Sequence, residues 1–95
     1  MKVAWTDEAR AHVAGIYSYL KRDAPFYATQ IIDRLTRRVD QLINHPRSGR
    51  IVPKYNDENL RELIMYPYRL ICRIKPDRID IIAVFHGAQQ LPDSL

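Results

Sequence analysis

The second half of the chain contains three short β-type runs of hydrophobic and polar residues. They cover Leu60–Tyr66, Tyr68–Ile74 and Ile79–Phe85, and turn residues separate them at Pro67 and at positions 75–78. Strand-length runs joined by short turns are typical of antiparallel strands that follow one another in a meander. The sequence therefore predicts a three-stranded meander, and a meander needs a covering layer on its apolar face.

The middle run shows which residues form the apolar face of the meander. Because successive side chains of a strand point to opposite sides, its residues divide into an apolar set and a set with cations. The apolar set is Tyr68, Leu70, Cys72 and Ile74, and the other set is Arg69, Ile71 and Arg73. The face that carries the arginines is the first place to look for function.

Two amphipathic helices precede the meander and are expected to cover it. Thr6 is a favourable N-cap followed by two carboxylates, so the first helix begins there and runs to about Lys21. Pro25 fits the first turn of a second helix, which ends at Asn44-His45-Pro46. The apolar stripes are Ala9, Val13, Ile16, Tyr17 and Leu20, then Ile31, Ile32, Leu35, Val39, Leu42 and Ile43. The short connection predicts an antiparallel hairpin.

A short apolar strand, Lys2–Trp5, comes before the first helix. The predicted fold class is therefore α+β, with this strand and the two-helix hairpin packed on a mainly antiparallel sheet that ends in the C-terminal three-strand meander. One face of the sheet is expected to be covered, and residues 1–95 are expected to form one domain. The predicted core consists of Trp5, Val13, Ile16, Leu20, Ile31, Leu35, Val39, Leu42, Leu70, Cys72, Ile74, Ile81 and Ala83.

Two groups of helix residues are weighed as binding surfaces. Tyr17 and Tyr19 would make a stacking platform, but Tyr17 lies in the apolar stripe and is interpreted as a core residue. The outer face of the second helix carries Arg34, Arg37, Arg38, Asp33 and Asp40. Because Asp33 and Arg37 are spaced for an ion pair, this face is interpreted as solvated surface rather than as a nucleic-acid patch.

The connection between the second helix and the meander is long and basic. It spans the fourteen residues Pro46–Asn59 and carries Arg47, Arg50 and Lys54. Connections of this length in a small domain are often functional. The three cations and a turn at Gly49 predict a site that holds phosphate or carboxylate.

The charge composition of the chain indicates which classes of binding partner are expected. There are 15 basic and 11 acidic residues, a net charge of +4 and a pI of about 9.5, which suits nucleic acid, a nucleoprotein machine or an acidic polypeptide. The single cysteine, Cys72, is expected in the core, as suits a reducing cytoplasm. No metal site, cofactor site, signal peptide or membrane span is predicted, so the protein is expected to be cytoplasmic.

Five short motifs follow one another along the predicted elements in a characteristic order. They are Trp5-Thr6 with Ala9 and Ile16-x-x-Tyr19, Pro46-x-x-Gly49-Arg50, Leu60-Arg61-Glu62-Leu63, Pro67-Tyr68-Arg69-Leu70-Ile71 and Val84-Phe85-His86-Gly87-Ala88-Gln89-Gln90-Leu91-Pro92. In these motifs the whole chain resembles the ParE/RelE toxin superfamily of type II toxin–antitoxin modules, and most closely its ParE side. One departure is Leu91, where relatives with this ending often carry an aromatic residue.

The resemblance implies a RelE/ParE-like fold and a toxin, of the kind associated with plasmid stabilisation, that a cognate acidic antitoxin neutralises in a hetero-oligomer. RelE-like members cut messenger RNA on the ribosome with a cluster of Lys and Arg and commonly a C-terminal Tyr or His. ParE-like members instead bind and poison DNA gyrase. Gyrase inhibition and blocked replication are therefore expected, with ribosome-dependent mRNA cleavage as the alternative.

The match to the ribonuclease site is partial. Arg69 corresponds to one of its arginines and Arg61 falls where a lysine is usual, but Leu63 replaces a second lysine. Gly87 and Ala88 stand where a further arginine is expected. The sequence therefore favours a binding protein over an enzyme.

The candidate site residues follow from this comparison. If the chain is a ribonuclease, Arg61, Arg69 and His86 are its catalytic residues, and otherwise none is predicted. Arg61 and Arg69 are equally expected to pair with Glu62, Asp80 or an acidic antitoxin. The residues expected to bind target or antitoxin are Arg47, Arg50, Lys54, Arg61, Arg69, Arg73 and His86.

Overall fold

The computed structural model describes residues 1–87 and 89–95 of the chain. Within these ranges the elements are β1 (Lys2–Trp5), α1 (Asp7–Lys21), α2 (Pro25–Asn44), β2 (Arg50–Ile51), β3 (Leu60–Met65), β4 (Tyr68–Ile74) and β5 (Arg78–His86). The strands form one sheet in the order β1-β5-β4-β3-β2, and its one parallel pair is β1–β5. The predicted α+β fold with a mainly antiparallel sheet is confirmed.

Both helices begin and end where the sequence predicts. The Thr6 hydroxyl accepts a hydrogen bond from the Ala9 backbone N–H at 3.1 Å, which caps α1. Pro25 occupies the first turn of α2, where its missing N–H costs nothing. In the described ranges, neither helix combines the length and the apolar character that crossing a membrane requires.

The helices contribute unequally to the core beneath them. The buried residues of α2 are Ala28, Ile31, Leu35, Val39 and Leu42. In α1, Ala9 is buried, whereas Val13, Ile16 and Leu20 are half-buried and pack against the edge of the same core. α2 therefore lies deeper on the sheet than α1, and part of the apolar stripe of α1 borders open grooves.

A β-bulge in β5 changes which residues face the helices. Ile71 pairs with Ala83 and Cys72 pairs with Ile81, so Ile82 is the extra residue on β5. Ala83, which simple alternation places under the helices, instead joins Ile71 in a cluster on the opposite face. Ala83 is buried, as predicted, but it lies on the face opposite the helices, because the bulge reverses the alternation after Ile81.

The face of the sheet opposite the helices is also covered, which contradicts the prediction of one covered face. Its buried cluster contains Val52, Ile71, Ala83 and Leu91. Val52 comes from the segment before β3, and Leu91 comes from residues 89–95, which are called the tail below. We call this side the tail-side face. Its apolar floor explains why Ile71 stands among the arginines of β4.

The segment Pro46–Asn59, predicted as a loop, contains the short edge strand β2. Arg50 and Ile51 pair with Glu62 and Arg61 of β3 in antiparallel register. This two-residue strand places Arg50 directly opposite Glu62 of β3.

Candidate functional site

Arg61 and Arg69, the two arginines of the hypothetical ribonuclease site, lie on opposite faces of the sheet. Arg61 is paired with Cys72 in the β3–β4 ladder, and Arg69 is paired with Ile64. Paired residues of adjacent strands point to the same side, and Cys72 belongs to the core under the helices. Arg61 therefore projects toward the helix side and Arg69 projects from the tail-side face, so the sheet separates them.

Arg61 is occupied by backbone carbonyl groups. Its Nε donates to the Glu58 oxygen at 2.8 Å, and one terminal nitrogen donates to the Gly49 oxygen at 3.1 Å and, at 3.4 Å, to that of Arg47. The guanidinium thus braces the segment that leads into β3. Arg47 meets it through its carbonyl, and the Arg47 side chain is exposed.

Arg50, Glu62 and Arg69 form a charged triad on the tail-side face. Arg50 Nε donates to Glu62 Oε1 at 2.5 Å, and Arg69 donates to Glu62 Oε2 from Nε at 2.9 Å and from a terminal nitrogen at 2.6 Å. The Glu62 side chain is fully buried, whereas the side chains of Arg69 and Arg50 are 19% and 61% exposed. A buried carboxylate needs such partners, so the two arginines hold Glu62 in place.

The triad also shapes the charge of this face. Two guanidinium groups meet one carboxylate, so one positive charge remains. Tyr55 lies close by, and burial and then the charge of Asp93 raise the pKa of its phenol, while Arg69 acts in the opposite direction. The tail-side face is therefore cationic, but its arginines are engaged with a side chain of the same protein.

The other cations of this face hold the tail. Lys54 Nζ donates to the Leu91 carbonyl at 2.6 Å and lies 3.6 Å from the Asp93 carboxylate. Tyr55 donates its hydroxyl to the Pro92 carbonyl at 2.5 Å, and Arg73 donates to the carbonyl oxygen of Leu95 at 3.0 Å. These bonds fix residues 91–95 across the sheet, with the Leu91 side chain buried beneath them.

A groove on the other side of the molecule collects aromatic residues that the sequence did not group. It has a volume of about 610 Å³ and lies between α1, the start of α2 and the ends of β4 and β5. We call it the tyrosine groove, and it is lined chiefly by Gly15, Tyr19, Tyr27, Tyr68, His12 and His86. None of its lining residues within the described chain is Lys, Arg, Asp or Glu.

Contacts among the lining residues fix the positions of the Tyr68, His86 and His12 rings in the groove. The rings of Tyr68 and His86 meet edge to face with centroids 5.9 Å apart. His12 Nδ1 accepts a hydrogen bond from the Val84 backbone N–H at 3.1 Å, which fixes the imidazole. Burial, followed by the nearby phenols of Tyr27 and Tyr19, raises the pKa of Tyr68.

The structure places the predicted histidine, His86, at this groove, on the face of the sheet opposite Arg69. His86 ends β5, and its backbone N–H donates to Gln89 Oε1 at 2.9 Å. Ala88, which was singled out with Gly87 in the comparison with ribonucleases, lies outside the described residues. Across residues 1–87 and 89–95, no group of three or more His, Cys, Asp or Glu is placed to hold a metal ion.

One sequence signal pointed toward the groove. Tyr19 is not in the apolar stripe of α1, and its side chain is 72% exposed. An aromatic residue outside the apolar stripe is expected to be exposed, so Tyr19 could contribute to a surface groove. Tyr27 and Tyr68 could not be grouped with Tyr19 from the sequence, because the three residues come together only when α1, α2 and β4 pack against one another.

The comparisons with known proteins agree with this fold. Residues 3–91 match the family model described as "ParE toxin of type II toxin-antitoxin system, parDE". The chain is 32% identical to "Putative toxin Y4kP" of Sinorhizobium fredii over 99% of this chain and 96% of that protein.

Two solved structures have a similar fold. One is from the chromosomal ParDE TA system of P. aeruginosa, with a TM-score of 0.77 and 22% identity. The other is from the toxin-antitoxin complex RelBE2 of Mycobacterium tuberculosis, with a TM-score of 0.58 and 19% identity. Each match covers 90% of this chain and 95% of the other. At such identities these two matches bear on the fold alone.

Proposed function

The chain belongs to the ParE toxin family of type II toxin–antitoxin systems, and from that premise we propose that it inhibits DNA gyrase and blocks replication until a cognate antitoxin neutralises it. The proposal assigns the protein to the cytoplasm, where its target works. It treats the protein as a poison that acts by binding, with no catalytic residue of its own.

The placement of the arginines carries this proposal. A ribonuclease must bring a base, an acid and positive charge to within about 3 Å of one phosphate. Here Arg61 and Arg69 are on opposite faces, and each is bonded to groups of the same chain. His86 is paired with Tyr68, so it lies on the face opposite Arg69 and four residues along β4 from Cys72, the partner of Arg61. A binding surface has no such requirement, since complementary shape and charge are enough.

The proposed antitoxin is an acidic polypeptide that adds a strand and a helix. The net charge of +4 favours an acidic partner. β1 and β2 are the edges of the sheet, so their outer backbone groups are open to a further strand. Beside β1, a mainly apolar groove of about 460 Å³, lined chiefly by Trp5, Val13, Tyr17 and Ile32 with Arg10 and Thr36 also in its lining, is suited to the apolar side of a helix.

The deciding experiment compares the two toxin activities on one preparation. Purified toxin is added to DNA gyrase with relaxed plasmid, and separately to ribosomes programmed with a defined message. We expect supercoiling to be inhibited, broken plasmid to accumulate and the message to stay intact. Cutting of the message in the ribosomal A site would favour the RNase alternative if His86→Ala abolished it without loss of fold or antitoxin binding.

A growth experiment tests the toxin–antitoxin relationship itself. Expression of the chain alone should stop growth, and coexpression of its antitoxin should restore growth and yield a complex that loosens at its polar rim as salt is raised. High-yield growth of cells that contain correctly folded free protein would contradict the proposal.

A further inference from the structure

Tyr27 joins two surface features that the proposed function does not use. It lines the tyrosine groove, and it also lines a pocket with Gln30, Asp33, Arg34 and Arg37 on the outer side of α2. Arg34 and Arg37 in turn border a third hollow with Arg38 and Met65. An uncharged aromatic groove and a row of arginines are therefore continuous on one side of the molecule. We call Arg34, Arg37 and Arg38 the arginine ridge.

The charge of the ridge is only partly neutralised. Arg37 is paired with Asp33 one turn away. Arg38 donates to two neutral acceptors, the Ile64 carbonyl and the Gln41 side-chain oxygen, so it keeps its full charge. Arg34 is exposed and makes no hydrogen bond or ion pair with any residue in the described part of the chain. Arg34 and Arg38 thus carry two positive charges that no carboxylate in the described part of the chain neutralises.

The spacing of the two features matches a nucleic-acid strand. Tyr27 and Arg34 are seven residues apart on α2, which is roughly 10 Å along the helix axis, or about three nucleotides of a stacked strand. Arg34 and Arg38 are one turn apart on the same side. A base can stack on a phenol ring whatever its identity, while the neighbouring phosphates need cations.

We propose that the tyrosine groove and the arginine ridge together bind single-stranded nucleic acid, with a base stacked between Tyr19 and Tyr27 and the adjoining phosphates on Arg34 and Arg38. The open side of α1 at Gly15 leaves room for the base, since a Cβ placed there would meet no atom within 4 Å. The bases of a duplex are already paired and stacked, so a duplex should not offer a free base to the two phenols. The site is independent of the proposed function, because it involves neither gyrase nor the antitoxin.

Fluorescence anisotropy with a labelled oligothymidylate of about a dozen nucleotides tests the proposal. Tyr27→Ala should weaken binding at least about fivefold through lost stacking. Arg34→Gln should also weaken it, and should reduce the slope of log affinity against log salt by about 0.7, as expected for one lost phosphate contact. Tyr19→Ala, at an exposed position, provides a second stacking variant that the fold tolerates.

Matched control variants distinguish binding at this site from nonspecific electrostatic attraction of the oligonucleotide to a basic protein. Phe26→Ala removes an aromatic side chain that is 76% exposed next to Tyr27 but outside the groove lining. Arg10→Gln removes one positive charge from α1, away from the ridge. Both should change affinity by no more than about twofold.

Three results would overturn the proposal. The first is no binding of oligothymidylate or of the matching oligouridylate at low salt. The second is equal binding of a duplex, and the third is equal weakening by the control and test variants. If the oligonucleotides do not bind and Tyr27→Ala instead weakens binding to gyrase or antitoxin, the groove is a protein-docking surface. Binding of either single strand supports the proposal, and the tighter one identifies the preferred sugar.

Discussion

Arg69 donates two hydrogen bonds, of 2.9 and 2.6 Å, to a single oxygen of the fully buried Glu62 carboxylate. The other oxygen of Glu62 is bonded to Arg50, whose side chain is far more exposed. The Glu62 carboxylate thus pairs with both Arg50 and Arg69, which the sequence had suggested as residues that bind target or antitoxin. Their first role is to stabilise the tail-side face.

This asymmetry predicts unequal losses of stability. Arg69→Met should lower the free energy of unfolding by about 2–4 kcal/mol, because it leaves a buried carboxylate short of its main partner. Arg50→Met should cost less, about 1 kcal/mol, because the Arg50 side chain is 61% exposed and Glu62 keeps both hydrogen bonds from Arg69. Urea denaturation of both variants measures the difference. Equal losses, or no loss for Arg69→Met, would show that Glu62 does not depend on this contact.

Local signals in the sequence predicted much of the fold. The N-cap at Thr6 and the proline at Pro25 each act within one turn of helix, so the bounds of both helices could be predicted without tertiary information. The strand pattern around Pro67 likewise predicted the β3–β4 hairpin. The family resemblance was confirmed over residues 3–91.

Features that depend on distant contacts could not be predicted. The bulge at Ile82 leaves no mark in an unbroken apolar strand, so Ala83 is buried as predicted but on the opposite face of the sheet from the one expected. The ion pair of Glu62 with Arg50 joins residues twelve positions apart, and Arg50 lies on a strand of two residues that is too short to recognise in the sequence. The assignment of Arg61 and Arg69 to opposite faces needs the register of the hairpin, which a turn residue alone does not determine.

Substitution by alanine is expected to have opposite effects on stability at Gly15 and at Gly49. At Gly15 an added Cβ meets nothing within 4 Å, so Gly15→Ala should stabilise α1 and raise the free energy of unfolding by about 1 kcal/mol. At Gly49 a Cβ would lie 3.0 Å from the Glu62 backbone oxygen and 3.2 Å from Arg61 Cβ, so Gly49→Ala should cost about 1–3 kcal/mol. Thermal unfolding of the pair checks the signs. A stabilised Gly49→Ala variant would mean that β2 can move away from β3.

The tail is predicted to contribute to stability through Leu91. Leu91→Ala should cost about 2 kcal/mol, because it opens a cavity over Ile71 and Val52. Leu95→Ala, at a side chain that is 38% exposed, should change stability by less than about 0.5 kcal/mol. Chemical denaturation measures both. Similar, negligible effects would show that the tail does not cover the second cluster in solution.

Asp80 predicts a dependence of stability on pH. Burial alone would raise the pKa of its carboxyl, but hydrogen bonds from Arg78 and Lys75 outweigh burial, and the pKa is lowered from its usual 3.8. Arg78 Nε lies 2.9 Å from one carboxylate oxygen, and Lys75 Nζ lies 3.1 Å from the other. The unfolded chain therefore binds a proton more readily than the folded one, so stability rises with pH between the two pKa values.

The contribution of Asp80 should be complete above the unfolded pKa and should disappear as the pH falls through the folded pKa. Asp80→Asn should therefore be less stable than the parent protein at neutral pH, and the difference should shrink below about pH 4. Asp77→Asn is the control, because that carboxylate is largely exposed and lies 3.5 Å from Arg78. Urea unfolding at a series of pH values measures both. If the loss in Asp80→Asn stays constant down to the lowest pH, the effect comes from packing of the amide, and the ion pairs with Arg78 and Lys75 do not stabilise the start of β5.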